Sequence, residues 1–166
     1  AAYLYVINAD TGQLIKRFKA GADGTGASPN GLSTPVAIDT DGDGSVDRVY
    51  AGDLNGTMWK FNLNDASDSA ATLLLATTGN QAITSTPGVA IHPEGGYMVT
   101  FGTGKMLVTA DATDSAVHYV YGIWDGAPGT NTTMVTQTLS ERNYTVGGVT
   151  TRCRRSTSLA PVWAVG

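Results

Sequence analysis

The Asn55-Gly56 pair separates two short segments, residues 48–54 and 57–63, which contain Val, Tyr, Trp and Phe. Asn-Gly is the pair that a two-residue hairpin turn prefers, because a type I′ turn needs positive φ at both central positions. Segments of similar length and composition lie on either side of this hairpin, at 34–39 and 72–77. The sequence therefore predicts a four-stranded antiparallel meander.

The beginning of this meander recurs further along the chain. Thr86-Pro87-Gly88-Val89-Ala90-Ile91 resembles Thr34-Pro35-Val36-Ala37-Ile38. Further strands are predicted after this second copy at 97–102, 105–109 and 119–124, and a hairpin is predicted near the start with strands at 3–8 and 13–18. Four strands recurring every 40–50 residues or so are typical of β-propeller blades.

We therefore predict an all-β chain of β-propeller blades, each a four-stranded antiparallel meander, in a partial or modified propeller. Residues 1–166 form a single β-propeller region with about three blades or part-blades, at 1–33, 34–80 and 81–140, whereas 141–166 have no clear pattern. An ordinary β-sandwich is the alternative. Because charged residues are only 14% and Gly numbers 21, a helical bundle is excluded.

Charge and hydropathy exclude two classes of partner. The formal net charge is −4, which argues against nucleic acid, since binding its phosphates needs a basic face. No apolar run approaches the ~20 residues that span a bilayer, so we expect no membrane insertion. The strand pattern is already under way at Tyr3, and we therefore expect the chain to be a piece of a longer protein.

An acidic loop carries the strongest chemical signal in the chain. Carboxylates stand at positions 1, 3, 5 and 9 of the run from Asp39 to Asp47, with Gly44 at position 6, as in the front of a calcium-binding loop. Position 12 is Tyr50 rather than Glu, so the loop is EF-like but not an EF-hand. Oxygen ligands without His or Cys favour Ca²⁺. The predicted ligands are Asp39, Asp41, Asp43, Asp47 and the backbone carbonyl of Ser45. A solvated Asp-Gly turn is the alternative.

The run from Asp39 to Leu63, with shorter pieces at 5–12, 31–35, 101–105 and 121–125, resembles the PilY/PilC family of type IV pilus tip-associated adhesins and biogenesis factors. The resemblance implies a modified seven-bladed propeller in a longer, exported protein at the cell surface or pilus tip. It also implies that Ca²⁺ on Asp39, Asp41, Asp43 and Asp47 helps to govern pilus extension against retraction. The residues from about 150 onward depart from the family pattern.

Other candidate residues have simpler interpretations. Trp59, Trp124, Tyr50 and Tyr121 are expected to pack within and between blades, with a sugar-binding platform as the alternative. Gly102-Thr103-Gly104-Lys105 lacks the remaining residues of a phosphate-binding loop. His92 is expected in a surface turn, and His118 has no evident partner. Cys153 is predicted to be a free thiol, or one whose partner lies outside this sequence. We expect its neighbours Arg152, Arg154 and Arg155 at a solvated edge, with binding of an acidic partner as the alternative.

These observations favour a non-catalytic, calcium-binding β-propeller segment of a type IV pilus tip-associated adhesin and biogenesis protein. The expected partners are minor pilins or a host or abiotic surface, and exposed strand edges allow self-association. The alternative is a secreted carbohydrate- or matrix-binding β-domain with a structural Ca²⁺. A quinoprotein enzyme is disfavoured, because Leu14 and Ile15 stand where such repeats carry a docking aromatic residue.

Overall fold

The computed structural model describes residues 2–21, 29–64, 70–126 and 139–156. Within these ranges the chain is built from strands and two short 3₁₀ turns, and it divides into two compact units, 1–131 and 132–166. No helix in the described ranges is long and apolar enough to cross a membrane. The strands are β1 (Ala2–Ile7), β2 (Leu14–Ala20), β3 (Val36–Ile38), β4 (Arg48–Gly52), β5 (Thr57–Asn62), β6 (Thr72–Ala76), β7 (Gly88–Ile91), β8 (Tyr97–Gly102), β9 (Val120–Trp124), β10 (Leu139–Val146) and β11 (Val149–Ser156).

The predicted meander is confirmed as a four-stranded antiparallel sheet in the order β3-β4-β5-β6. Its central hairpin turns at Asn55-Gly56, where the Asp53 amide donates to the Thr57 carbonyl at 2.9 Å. Tyr50 lies opposite Lys60, and Ala51 lies opposite Trp59. Successive side chains of a strand point to opposite faces, so this register places Ala51 and Trp59 on one face and Tyr50 and Lys60 on the other.

Both faces of this sheet are covered. On the Ala51 face, apolar side chains of β4 and β5 pack with the β1–β2 hairpin, and the Phe18 and Phe61 rings meet edge to face at 5.8 Å. On the other face, Tyr50 and Met58 have no exposed surface. A propeller blade must bury both faces because it is packed between two neighbours. The fully or nearly buried members of the first cluster are Ala2, Phe18, Ala20, Val49, Ala51, Trp59 and Phe61.

A third sheet contains β7, β8 and β9 in that order, and it confirms the recurrence that begins at Thr86. The strand predicted at 105–109 is wrong. Residues 105–108 have no regular secondary structure, and a 3₁₀ turn follows at Thr109–Thr113. The Asp111 carboxylate accepts hydrogen bonds from the Leu107 and Val108 amides at 2.8 and 3.0 Å, so these amides are bonded to a side chain and not to a neighbouring strand.

The second unit contains one long antiparallel hairpin, β10–β11, which sequence reasoning did not find. It turns at Gly147-Gly148, where φ is 59° and 82°. Gly-Gly is one of the pairs that a two-residue hairpin turn accepts, so this signal was present in the sequence. The side chains of Cys153, Arg154 and Arg155 lie outside the described part. The single propeller region over 1–166 stays a prediction.

Candidate metal centre

The acidic loop connects β3 to β4 and gathers three of its carboxylates. Asp39, Asp41 and Asp43 are exposed, and each offers an oxygen so placed that the three oxygens lie within 4.8 Å of one another. Gly42 and Gly44 have φ of 82° and 91°, a conformation that residues with a side chain seldom adopt. These two glycines coil the loop tightly enough for alternate side chains to converge.

Backbone amides hold the loop in this shape. The two Asp39 oxygens accept hydrogen bonds from the Gly42 and Gly44 amides at 2.7 and 2.8 Å. Asp43 accepts from the Ser45 amide at 2.7 Å. The bond from Gly44, followed by that from Gly42, lowers the pKa of Asp39. Asp39 therefore stays ionised down to lower pH than an ordinary aspartate, as a ligand for a hard cation must.

Asp47 lies beneath the loop and is 3% exposed. One of its oxygens accepts from the Thr40 amide and hydroxyl at 2.6 and 2.5 Å, and the other accepts from the Asn64 side chain at 2.7 Å. The Thr40 hydroxyl makes the largest contribution to the lowered pKa of Asp47. The oxygen that accepts from Thr40 has both of its lone pairs in use, so on Asp47 only the oxygen that accepts from Asn64 keeps a lone pair for a cation.

The five predicted ligands thus take different positions. The structure brings together Asp39, Asp41 and Asp43, and it places Asp47 at the base of the loop and Ser45 on its exposed side. Three convergent carboxylates without nitrogen or sulfur ligands have the donor chemistry that suits Ca²⁺. That these five residues bind a metal ion, and that the ion is Ca²⁺, stays a prediction.

A second aspartate, Asp53, was not singled out from the sequence. It is 1% exposed at the end of β4, and neutral donors surround both of its oxygens. These donors are the amides of Asn55 and Thr57 at 3.0 and 2.8 Å, the Asn30 side chain at 3.0 Å and the Trp59 indole at 2.8 Å. Trp59 is itself only 8% exposed, which supports the expected packing role for this residue and argues against a sugar-binding platform.

A third aspartate, Asp125, joins two sheets. It follows β9, is 2% exposed and accepts a hydrogen bond from the Tyr50 hydroxyl at 2.6 Å. Arg48 and Lys60 of the neighbouring sheet reach the same oxygen at 3.2 and 3.7 Å. Its other oxygen accepts from the Tyr97 amide at 2.6 Å. Its role could not be read from the sequence, because Arg48, Tyr50 and Lys60 are distant along the chain.

The remaining candidates serve the third sheet. Trp124 donates to the Gly95 carbonyl at 2.7 Å and stacks on the His92 ring at 4.8 Å, and His92 is buried rather than at the surface. The Gly104 amide donates to the Ala82 carbonyl at 2.7 Å, so it is already bonded within the protein and not presented to a phosphate. His118 has a partner, Asp114, at 3.5 Å.

Comparisons with known proteins confirm the resemblance. The sequence profile of the PilY1 beta-propeller domain matches residues 1–73 and 68–153. A type IV pilus biogenesis factor PilY1 homolog of Xylella fastidiosa is 37% identical, with 76% of this chain and 10% of the relative covered. The type IV pilus biogenesis factor PilY1 of Pseudomonas aeruginosa is 35% identical, with 75% of this chain and 13% of the relative covered.

A solved structure agrees with both matches. The crystal structure of the Pseudomonas aeruginosa PilY1 C-terminal domain superposes with a TM-score of 0.72 at 30% identity, covering 99% of this chain and 41% of that one. Each of the sheets described above is open and antiparallel, as propeller blades are. This chain belongs to the PilY1 β-propeller family, whose named relatives are type IV pilus biogenesis factors.

Proposed function

We propose that this chain is a non-catalytic, calcium-binding β-propeller segment of a type IV pilus biogenesis protein at the cell surface or pilus tip. The observation that carries the proposal is the convergence of Asp39, Asp41 and Asp43 within 4.8 Å on a loop between two strands. The pilus assignment rests on family membership, and the chain spans 10–13% of the length of the two relatives described above.

The loop residues would act by holding one cation. Three carboxylates this close repel one another at neutral pH, and Ca²⁺ supplies the positive charge that offsets this repulsion. Asp39, Asp41, Asp43 and Asp47 with the Ser45 carbonyl would hold the ion, and the hydrogen bonds from Thr40 and Asn64 keep Asp47 in place. An ordered loop then presents one fixed surface between the end of β3 and the start of β4.

In the longer protein, this ordered surface would bind minor pilins or a host or abiotic surface and so modulate pilus extension, retraction and attachment. The sugar-binding alternative has less support, because Trp59 is 8% exposed and the Trp124 indole is bonded to Gly95. We therefore place the functional surface at the acidic loop and not at these rings.

Calorimetric Ca²⁺ titration and thermal unfolding test the proposal. The wild type should bind one Ca²⁺, and at 100 times Kd its free energy of unfolding should rise by about 2.7 kcal/mol, which raises Tm by about 5–11 °C. A double variant, Asp41→Ala with Asp43→Ala, should lose both effects. The control, Asp10→Ala with Asp114→Ala, removes the same charge outside the loop and should keep them.

Two results would contradict the proposal. If the wild type does not bind Ca²⁺, the proposed metal site is wrong. If the control variant also loses Ca²⁺ binding, the binding depends on net charge and not on the acidic loop. The pilus assignment is tested separately by titrating purified minor pilins against the chain with Ca²⁺ and with chelator. If the pilins bind equally strongly with Ca²⁺ and with chelator, the acidic loop does not take part in partner recognition.

A further inference from the structure

The base of the acidic loop continues directly into the contact between two sheets. Arg48 follows Asp47 in the chain and is the first residue of β4. Its guanidinium donates to the Asp125 carboxylate of the next sheet at 3.2 Å and lies 5.9 Å from the centroid of the Tyr97 ring. Asp47, a predicted calcium ligand, is therefore directly followed in the chain by an arginine whose side chain contacts the neighbouring sheet.

Asp125 also contacts the first residue of β8, Tyr97, through two hydrogen bonds. Its second oxygen accepts from the Tyr97 amide at 2.6 Å, and its own amide donates to the Tyr97 carbonyl at 2.9 Å. Gly96 lies so close that an added Cβ would come within 2.7 Å of the Asp125 carboxylate. In so tightly packed a site, a movement of the Asp125 carboxylate displaces the backbone at Tyr97.

Backbone hydrogen bonds of Asp47, the residue before Arg48, hold the base of the loop. The Asp47 amide donates to the Ile38 carbonyl at 3.0 Å and closes the β3–β4 ladder, and the Asp47 carbonyl accepts from Leu63 at 2.8 Å. Repulsion among the exposed carboxylates bears on these bonds first, because they anchor the C-terminal end of the loop. If the hydrogen bonds of Asp47 weaken, the backbone at Arg48, which sets the position of its guanidinium, becomes more mobile.

We propose that the Arg48–Asp125 contact transmits the state of the calcium loop to the start of β8 in the neighbouring sheet. The inference rests on the proposed calcium site, and it adds where the effect of the ion goes. The contact is an intersheet positioning element. Arg48 holds no metal, and Asp125 lies outside the loop. Asp125 is buried but the Arg48 side chain is 35% exposed, so salt screens this contact in part, though less than it screens a fully exposed ion pair.

Amide hydrogen exchange with and without Ca²⁺ tests the transmission in the full 166-residue chain. In the wild type, Ca²⁺ should slow exchange at the Thr40 and Asp47 amides and also, on the order of 5-fold or more, at the Tyr97 and Asp125 amides. In Arg48→Met, which keeps the aliphatic stem, Thr40 should still be protected while the Tyr97 and Asp125 amides no longer respond.

A matched control is Lys105→Met, which removes one positive charge and an ion pair to Asp111 in the segment between β8 and β9. It should leave the Ca²⁺ response of Tyr97 intact. Since coupling between sites is reciprocal, Arg48→Met should also raise the Kd for Ca²⁺, by the same factor as Ca²⁺ slows exchange at the Tyr97 amide in the wild type. Lys105→Met should change the Kd no more than the loss of one charge predicts.

The outcomes separate the two proposals. Calorimetric binding with protection at Thr40 but none at Tyr97 and Asp125 in the wild type overturns the transmission and leaves the calcium site standing. No binding at all overturns both. If Arg48→Met does not fold, Asp125→Asn is measured instead, because it removes the charge at nearly constant shape. Retained Ca²⁺ protection of Tyr97 in Asp125→Asn refutes the contact as the route.

Discussion

Replacing Tyr50 by Phe tests whether the two sheets are joined through a buried polar contact. The Tyr50 side chain has no exposed surface, and its hydroxyl donates to Asp125 at 2.6 Å. Burial and this hydrogen bond raise the pKa of Tyr50 above its ordinary value. Phe fills nearly the same volume, so the substitution removes the donor and leaves the ring packing almost unchanged.

The expected loss follows from the charge of the acceptor. A hydrogen bond to an ionised group contributes about 1.5–3 kcal/mol, and Asp125 remains buried after the donor is gone. Since each 1 kcal/mol shifts Tm by about 2–4 °C in a chain of this length, Tyr50→Phe should lower Tm by about 3–12 °C. Urea unfolding and thermal unfolding, both followed by circular dichroism, measure the change.

The control is Tyr121→Phe, at a half-buried ring that stacks on Phe101 at 5.3 Å. This change should stay within about 0.5 kcal/mol of the wild type. If Tyr50→Phe is equally mild, the bond to Asp125 does not stabilise the packing of the two sheets, and the intersheet role assigned to Asp125 is wrong.

Three further predictions concern close packing and pH. Gly52→Ala should cost about 1–3 kcal/mol in urea unfolding, because the new Cβ would overlap the Ile83 side chain. Gly31→Ala, whose nearest neighbour would lie at 3.9 Å, should be nearly neutral. Tyr50 should ionise above the ordinary tyrosine range in an absorbance titration because burial raises its pKa, and its stabilising contribution should be lost as pH rises above about 10. The Leu107 and Val108 amides lower the pKa of Asp111, so its contribution should be present above about pH 4 and lost at lower pH, an acid dependence that Asp111→Asn should remove.

The sheets could be predicted where their signals are local. Asn55-Gly56 between two aromatic-containing segments predicted the central hairpin, and the register of β4 with β5 confirms it. Residues 105–109 misled the prediction, because an apolar run has the composition of a strand whether or not a partner strand is present. There the Asp111 side chain bonds the Leu107 and Val108 amides. The Gly147-Gly148 turn carried a usable signal that was overlooked.

The site divides in the same way. The spacing of Asp39, Asp41 and Asp43 predicted a cluster, because loop residues two apart project to the same side of a tight turn, and the three carboxylates do converge. The spacing did not reveal that Asp47 is bonded to Asn64, which follows β5. That contact arises only once β3, β4 and β5 are paired.

Local sequence signals were sufficient for most strands of the first unit, for the Asn55-Gly56 turn and for the acidic loop, since each depends on residues within about a dozen positions of one another. Which carboxylates are exposed and which are buried between sheets depends on tertiary packing. Asp53 and Asp125 have the same side chain as Asp41, yet neutral donors surround Asp53, while Asp125 faces a tyrosine and two cations distant in the chain. Burial and hydrogen-bond partners set the role of a carboxylate, and both come from segments that meet only when the sheets pack.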